Sequence, residues 1–252
     1  MATLMNGGAL GDALLPGEAT QDALFGGSVV LFQPPRGTGY RANVDALLLA
    51  GFATARKVAP VAIDLGAGVG AVGLALLRLG AARRVVFVEI DDLAAAMARR
   101  NLDANGWSDR GEVVRGDVRD VARLRRGEAA LVVCNPPYIM PGRGRVPATQ
   151  ARARSGEVGT FVEAARQVAG RRARVCFVYP AQELAMLLAT LAAEGLHAKR
   201  LRFVHGTPDA PARVALVEAQ AGRAGGLRVL SPLLEREPRG YTPEMRALLA
   251  RE

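Results

Sequence analysis

Lysine is almost missing from this chain. Lys57 and Lys199 are the only two in 252 residues, so nearly all of the positive charge is arginine, yet the formal net charge still reaches +9. A sequence pI near 10.6 describes a strongly basic surface, which favours polyanionic partners such as RNA or DNA. A GC-rich genome produces the same arginine skew, so charge alone leaves nucleic-acid affinity open. Histidine is as scarce: His197 and His205, with two cysteines in different apolar runs, form no credible zinc pattern, and no metal is expected. Cys134 and Cys176 each sit within or at the end of an apolar stretch, where a thiol behaves as a small buried hydrophobe. A disulfide framework is therefore excluded and a reducing compartment expected, with the cytoplasm as default. The opening "MATLMNGGALGDALLPGEAT" has neither a basic leader nor a sustained apolar core, so no secretion signal and no membrane span is expected from it.

What is present is core. Half of the residues are hydrophobic, enough for one α/β domain with small additions. Residues 1–27 are rich in Gly and Ala and read as a weakly ordered arm; residues 28–252 read as a single domain. Within it, 28–58 is an N-terminal hairpin and helix, 59–222 the core and 223–252 a C-terminal tail. "SVVLFQPPRGTGYRA" predicts two short strands around a Pro-Pro-Arg-Gly turn, and "VDALLLAGFATA" a helix with a broad apolar face. From Val61 short β-rich runs alternate with helical ones: "VAIDL", "AVGLALLRL", "RVVFVEI", "LAAAMARRNLDAN", "EVVRGD", "ALVVC". This alternation builds a mostly parallel sheet covered by helices on both faces, a Rossmann-like α/β fold. A loop is expected from Ile139 to Gly156, then "TFVEAARQV", "ARVCFVYP", "AQELAMLLATLAAEG" and two extended runs, "AKRLRFVH" and "ARVALVEAQ". The last two leave no room for a crossover helix and should pair antiparallel, which makes a seven-stranded sheet with an antiparallel last strand. No internal repeat or low-complexity linker forces a domain boundary, and a monomer is the default.

"AIDLGAGVGAVG" is a strand, a glycine turn and a helix start, and the helix N-terminus adds a partial positive charge. Gly68-Val69-Gly70-Ala71-Val72-Gly73 satisfies G-x-G-x-x-G, and Glu89 lies about twenty residues on, as in a dinucleotide fingerprint. Asp64 argues otherwise. A carboxylate just before the first glycine repels a pyrophosphate and suits a ligand with an ammonium group, which S-adenosylmethionine carries. Glu89 can accept hydrogen bonds from ribose hydroxyls in either cofactor, so it does not discriminate. Asp117, after the third predicted strand of this series, can accept a hydrogen bond from an adenine amine; it is equally a favoured helix N-cap before "VRDVARL".

The fourth predicted strand ends in Asn135-Pro136-Pro137-Tyr138. Two prolines without backbone donors stop any ladder and leave a stiff turn. In an open α/β sheet, ligands bind beyond the carboxyl ends of the strands, so residues 64–70 and 135–138 should face one crevice. A conjugated amine is a poor nucleophile because its lone pair is delocalised. If the Asn135 side-chain carbonyl and the Pro136 main-chain carbonyl each accept one of its hydrogens, the lone pair is freed and growing positive charge is stabilised. Prolines hold those carbonyls in place, and Tyr138 offers a flat face for a planar substrate.

"DLGAGVG", "VEID", "GDV" and "NPPY", in this order, resemble the class I S-adenosylmethionine-dependent methyltransferases that modify exocyclic or amide nitrogens. "LFQPPRGTGYRANVDALLLAGF", "ARARSGEVGTFVEAARQV" and the ending "LSPLLEREPRGYTPEMRALL" are similar to bacterial tRNA adenine N6-methyltransferases acting beside the anticodon of a valine tRNA, a resemblance that covers most of the chain from about Ser28. It implies that Gly66, Gly68 and Gly70 line the methionine portion of the cofactor, Glu89 the ribose and Asp117 the adenine, with Asp64 and Asn135 also at the cofactor. It further implies that Asn135, Pro136 and Tyr138 hold the target base, and that Asn43 and Asp45 lie where a helix closes over the cofactor. Methyl transfer to adenine N6 in RNA, foremost tRNA, is the expected activity. The rival enzyme is a glutamine methyltransferase acting on peptide release factors, which shares the Asn-Pro-Pro-Tyr logic but typically follows it with an acidic segment. Here Arg143, Arg145, Arg152 and Arg154 make the segment basic, as phosphate contacts require; a merely solvated surface loop would read the same way. A non-catalytic cofactor- or RNA-binding module is the third reading, and it would need neither Asn135 nor Tyr138.

Overall fold

The computed structural model describes residues 19–35, 41–55, 57–136 and 148–250, and of 148–157 the backbone only. In chain order the elements are β1 (Thr20–Leu24), β2 (Val29–Gln33), α1 (Val44–Ala53), β3 (Ala59–Leu65), α2 (Ala71–Arg78), β4 (Ala82–Glu89), α3 (Asp92–Ala104), β5 (Gly111–Arg115), α4 (Val118–Leu124), β6 (Ala129–Cys134), α5 (Ala148–Val168), β7 (Ala169–Pro180), α6 (Leu184–Ala193), β8 (Leu196–His205) and β9 (Ala212–Ala221). The C-terminal tail adds β10 (Arg228–Val229), β11 (Leu233–Leu234), β12 (Arg236–Glu237), β13 (Gly240–Tyr241) and α7 (Pro243–Leu249).

Strands β3 to β9 form the expected seven-stranded sheet, in the order β8-β9-β7-β6-β3-β4-β5, with β9 antiparallel between β7 and β8. Two-residue strands β10 and β11 lengthen its β8 edge. The central strands are apolar throughout because both faces are covered. Ala62, Leu131, Val133, Cys176 and Val178 point to the layer of α1, α2 and α3; Ile63, Leu65, Val132, Cys134, Val175 and Phe177 point to the layer of α4, α5 and α6. Helix α2 can lie close on the sheet only because residue 73 is glycine: a Cβ there would meet the Phe87 ring at 2.2 Å.

Two expectations are corrected. The N-terminal hairpin pairs β1 with β2, from Thr20↔Gln33 to Leu24↔Val29, so its first strand lies within the predicted arm; the predicted turn and second run after Pro35 lie largely outside the described residues. Gly26 and Gly27, at φ 62° and 106°, supply the reversal, while the prolines, having no donors, merely end the ladder after Gln33. Helix α5 starts at Ala148, so the basic stretch from Ala148 to Gly156 is helical and not loop. Ala148, Ala151, Arg152, Ala153 and Arg154 are strong helix formers, which outweighs Gly156.

The hairpin docks on α3 through two asparagines one turn apart. Asn105 accepts from Val30 N–H at 2.9 Å and donates to Val30 C=O at 2.8 Å. Asn101, fully buried, accepts from Phe32 N–H at 2.6 Å and donates to Phe32 C=O at 3.0 Å and to Val69 C=O at 2.9 Å. Each carboxamide thus mimics a neighbouring strand and satisfies the free edge of β2. Asn101→Ala leaves three buried main-chain groups without a partner and should cost at least about 2 kcal/mol in denaturant unfolding, with half-exposed Asn105→Ala costing less. Equal stability of the two variants would mean that these bonds contribute nothing specific.

Candidate active site

The site is set by strand register. Leu65 of β3 faces Cys134 of β6 on one side and Val88 of β4 on the other. Gly66, Asn135 and Glu89 are the next residues on these parallel strands, so they stand in a row about 5 Å apart, the spacing of neighbouring strands. The chain runs from β3 outward to β4 and β5, then returns to β6 on the other side of β3. Gly66 and Asn135 therefore flank the topological switch point, where open α/β sheets bind ligands. Asn135, Gly66, Ala67 and Val69 line one small concavity with Ala42, just before α1, and Ala46 in its first turn.

Two carboxylates fasten the glycine turn. Asp64 Oδ2 accepts from Gly73 N–H at 2.9 Å, tying the end of β3 to the first turn of α2. Glu89 Oε2 accepts from Gly68 N–H at 2.7 Å and its Oε1 from Asp91 N–H at 2.9 Å. Gly66, Gly68 and Gly70 have φ of 70°, 56° and 90°, a region side chains avoid, and a Cβ at Gly66 would lie 2.9 Å from the Phe161 ring of α5. Burial pushes the Asp64 carboxyl up to about 7 from 3.8, an effect that the Gly73 hydrogen bond moderates and the charge of Glu89 reinforces. Asp64 Oδ1 is buried and has no hydrogen-bond partner among the described residues.

These features fit S-adenosylmethionine: a cradle of positive-φ glycines, an orphaned carboxylate oxygen for an ammonium group, and a Glu89 carboxylate with one lone pair left on each oxygen. Asp117 stands beyond β5 as the N-cap of α4, accepting from Arg119 N–H at 2.9 Å and from the Arg119 guanidinium at 3.0 and 2.6 Å. The Arg119 side chain and N–H hold it down at about 2. Pro136 is buried beside Asn135. Tyr138, Arg143 and Arg145 lie outside the described residues; Arg152 and Arg154 fall on the backbone of α5, and their side chains are outside the description.

Asn43 caps α1, its Oδ1 accepting from Asp45 N–H at 2.9 Å. Asp45, 1 % exposed, pairs with Arg213 of β9 at 2.7 Å, and Arg213 also holds Glu235 at 2.5 Å. Sequence reasoning missed Arg213, Glu235, Phe161 and Ile90, an apolar residue 61 % exposed directly after Glu89. Only Ile90 carried a signal, its place beside the acidic strand end.

The topology, the glycine turn at the switch point and the adjoining Asn-Pro define a class I S-adenosylmethionine-dependent methyltransferase. Residues 43–153 match the family described as Methyltransferase small domain. The tRNA1(Val) (adenine(37)-N6)-methyltransferase of Erwinia tasmaniensis is 30% identical over 179 residues, covering 69% of this chain and 71% of that one. That of Pectobacterium carotovorum is 30% identical over 146 residues, 56% of this chain and 58% of the relative, so this match spans somewhat over half of the relative's length. Among solved structures, a predicted O-methyltransferase from Agrobacterium tumefaciens superposes with a TM-score of 0.65 at 26% identity, covering 81% of this chain and 94% of the other. The chain belongs to the family that contains the bacterial tRNA1(Val) adenine-N6-methyltransferases. No helix among the described residues is long and apolar enough to cross a membrane.

A cation brought to Asp64 favours the carboxylate and lowers a pKa that burial has raised, so cofactor binding should release protons between about pH 4 and 7. Titration calorimetry near pH 6 in buffers of different ionisation enthalpy should find up to about one proton released, fading above about pH 8 and absent in Asp64→Asn. Proton uptake, or no linked proton near pH 6, would remove Asp64 from the ammonium contact.

Proposed function

We propose that this protein transfers a methyl group from S-adenosylmethionine to the exocyclic N6 amine of an adenine in RNA, with tRNA as the substrate. The observation that carries this reading is the β3–β6 register, which leaves Asn135 one strand spacing from the glycine turn. The cofactor supplies an electrophilic methyl group. The chain supplies the acceptor's activation: the side-chain carbonyl of Asn135 and the main-chain carbonyl of Pro136 accept the two amine hydrogens and stabilise the positive charge that grows on nitrogen. Burial of Pro136 and its fixed φ keep the second carbonyl in place. Asp64, Gly66, Gly68, Gly70 and Glu89 hold the donor, and at Asp117 the adenine of the donor shares the carboxylate with Arg119. Tyr138 stacks on the target base, and Arg143, Arg145, Arg152 and Arg154 meet phosphates.

Relatives that act on tRNA, a net charge of +9 and the arginines after the proline turn all support RNA over a release factor. With labelled donor and tRNA, Asn135→Ala should lower kcat by about 100- to 1000-fold and leave cofactor affinity nearly unchanged, the pattern of an interaction made only in the transition state. Nucleoside mass spectrometry of the product should find N6-methyladenosine. Full activity of the variant would sink the mechanism, and transfer to a release-factor glutamine but to no RNA would replace the substrate. Neutralising Arg143, Arg145, Arg152 and Arg154 together should flatten the salt dependence of RNA binding by roughly 0.7 to 0.9 of a log-log unit for each phosphate that an arginine no longer neutralises. An unchanged slope would make these arginines ordinary solvated surface.

A further inference from the structure

Helix α1 borders a second concavity. Ala46 borders the small cleft at the glycine turn, whereas Leu47 borders an open apolar hollow of about 480 Å³ walled by Leu24 and Phe25 of the hairpin, Tyr241 of β13 and Leu249 of α7. The volume is that of a small-ligand site. Phe25 has φ of 51°, a backbone conformation that bulky residues avoid and that is the only case of its kind among the described non-glycine residues. Tyr241 is 38 % exposed, and the Arg236 guanidinium lies 4.4 Å over its ring while donating to its hydroxyl at 3.2 Å. Arg246, also lining the hollow, donates to Tyr241 C=O. Arg236, Arg239 and Arg246 are all exposed. Among the described residues of the tail, the one exposed acid near them that is not tied to another arginine is Glu237, because Glu235 pairs with Arg213 and Glu244 with Arg202.

The Tyr241 wall of the hollow stands at the same end of the molecule as the active site, while the Leu24–Gly26 wall leads down the flank toward Ser28, which meets Arg78 at the far end of α2. Strand β11 pairs with Val204 and His205 at the C-terminal end of β8, so the β12–β13 hairpin that follows rises at the end of the sheet where the crevice opens. Ala46 and Leu47 are consecutive on α1, so the two cavities border adjoining faces of one helix that is about 10 Å across. An RNA strand crosses that distance in no more than about three nucleotides at stacked spacing.

We propose that this hollow is a second base subsite: it takes an unstacked nucleobase of the RNA substrate, close in sequence to the target adenine, against Tyr241 and the apolar wall, with its phosphates on Arg246, Arg236 and Arg239. An apolar slot with one aromatic wall and guanidinium groups at the rim matches both parts of a nucleotide, and neither alone. The proposal rests on the reading of RNA as substrate.

The test uses the full chain and a tRNA that it methylates. Tyr241→Ala should raise the KM for RNA by about 5- to 150-fold, the loss of one stacked base, with kcat and cofactor affinity within about twofold of wild type. Tyr241→Phe should retain most of the affinity. Ala23→Trp, from an exposed position on the wall of the hollow, should block it and reproduce the KM effect without touching the core. Thermal unfolding verifies the fold of each variant, and photocrosslinking of thiouridine-substituted tRNA should join Tyr241 or its neighbours to a nucleotide within about three of the methylated adenine. An unchanged KM in both Tyr241→Ala and Ala23→Trp, on RNA that wild type methylates, overturns the subsite alone. So does a change in sedimentation with KM unchanged, which would give the face to a second copy of the chain. If wild type methylates no RNA, the substrate reading falls and the subsite with it.

Discussion

Two carboxylates pulling on backbone N–H groups hold this site together. The turn from Gly66 to Gly70 has only the small buried side chains of Ala67 and Val69 with which to pack itself, and Asp64 holding Gly73 and Glu89 holding Gly68 fix its shape. The bonds run to the flanking strand ends on both sides, so the turn is fixed relative to β3 and β4 at once. Phe161 and Phe87 then fill the space that absent Cβ atoms leave. A negative side chain at the start of α2 also suits the positive end of the helix dipole. The cost is a buried carboxyl that resists ionisation and keeps one oxygen without a partner among the described residues.

Helix α1 is held at both ends by arginines from distant strands. Asn43 and Asp45 close its N-terminus with Arg213 and Glu235, and the tail is thereby tied to the edge of the cofactor cleft. At its C-terminus Arg174 donates to Ala53 C=O and Arg200 to Phe52 C=O, and both arginines share the buried carboxylate of Glu218. Cations on the last carbonyls satisfy groups that the helix itself cannot pair. Breaking such a buried arrangement leaves an uncompensated charge, at a typical cost of about 3 to 5 kcal/mol.

The chemistry of the methyltransferase family asks the protein for position more than for acid or base. No proton need leave the amine before the methyl group arrives, and the groups in the row Glu89, Gly66, Asn135 are hydrogen-bond acceptors and backbone, not proton shuttles. Their alignment follows from parallel pairing on either side of β3, where a one-residue slip would turn every side chain to the opposite face. Sheet register is thus the element on which activity depends, and the helices serve to lock it.

Much of this was legible in the amino-acid sequence. "DLGAGVG" after an apolar run specifies a strand, a turn and a helix because only glycine tolerates those φ values, and Asn-Pro-Pro ends a strand because proline has no donor. The alternation of elements implied the sheet and its antiparallel final strand by the same local logic. What the sequence left undecided depends on residues far apart in the chain. The hairpin could choose its strands only once Asn101 and Asn105 offered β2 an edge. Arg213 of β9 determined that Asp45 is buried with its charge paired. Local rules of φ and donor count are written in consecutive residues, whereas a partner for a buried polar group exists only where folding brings it.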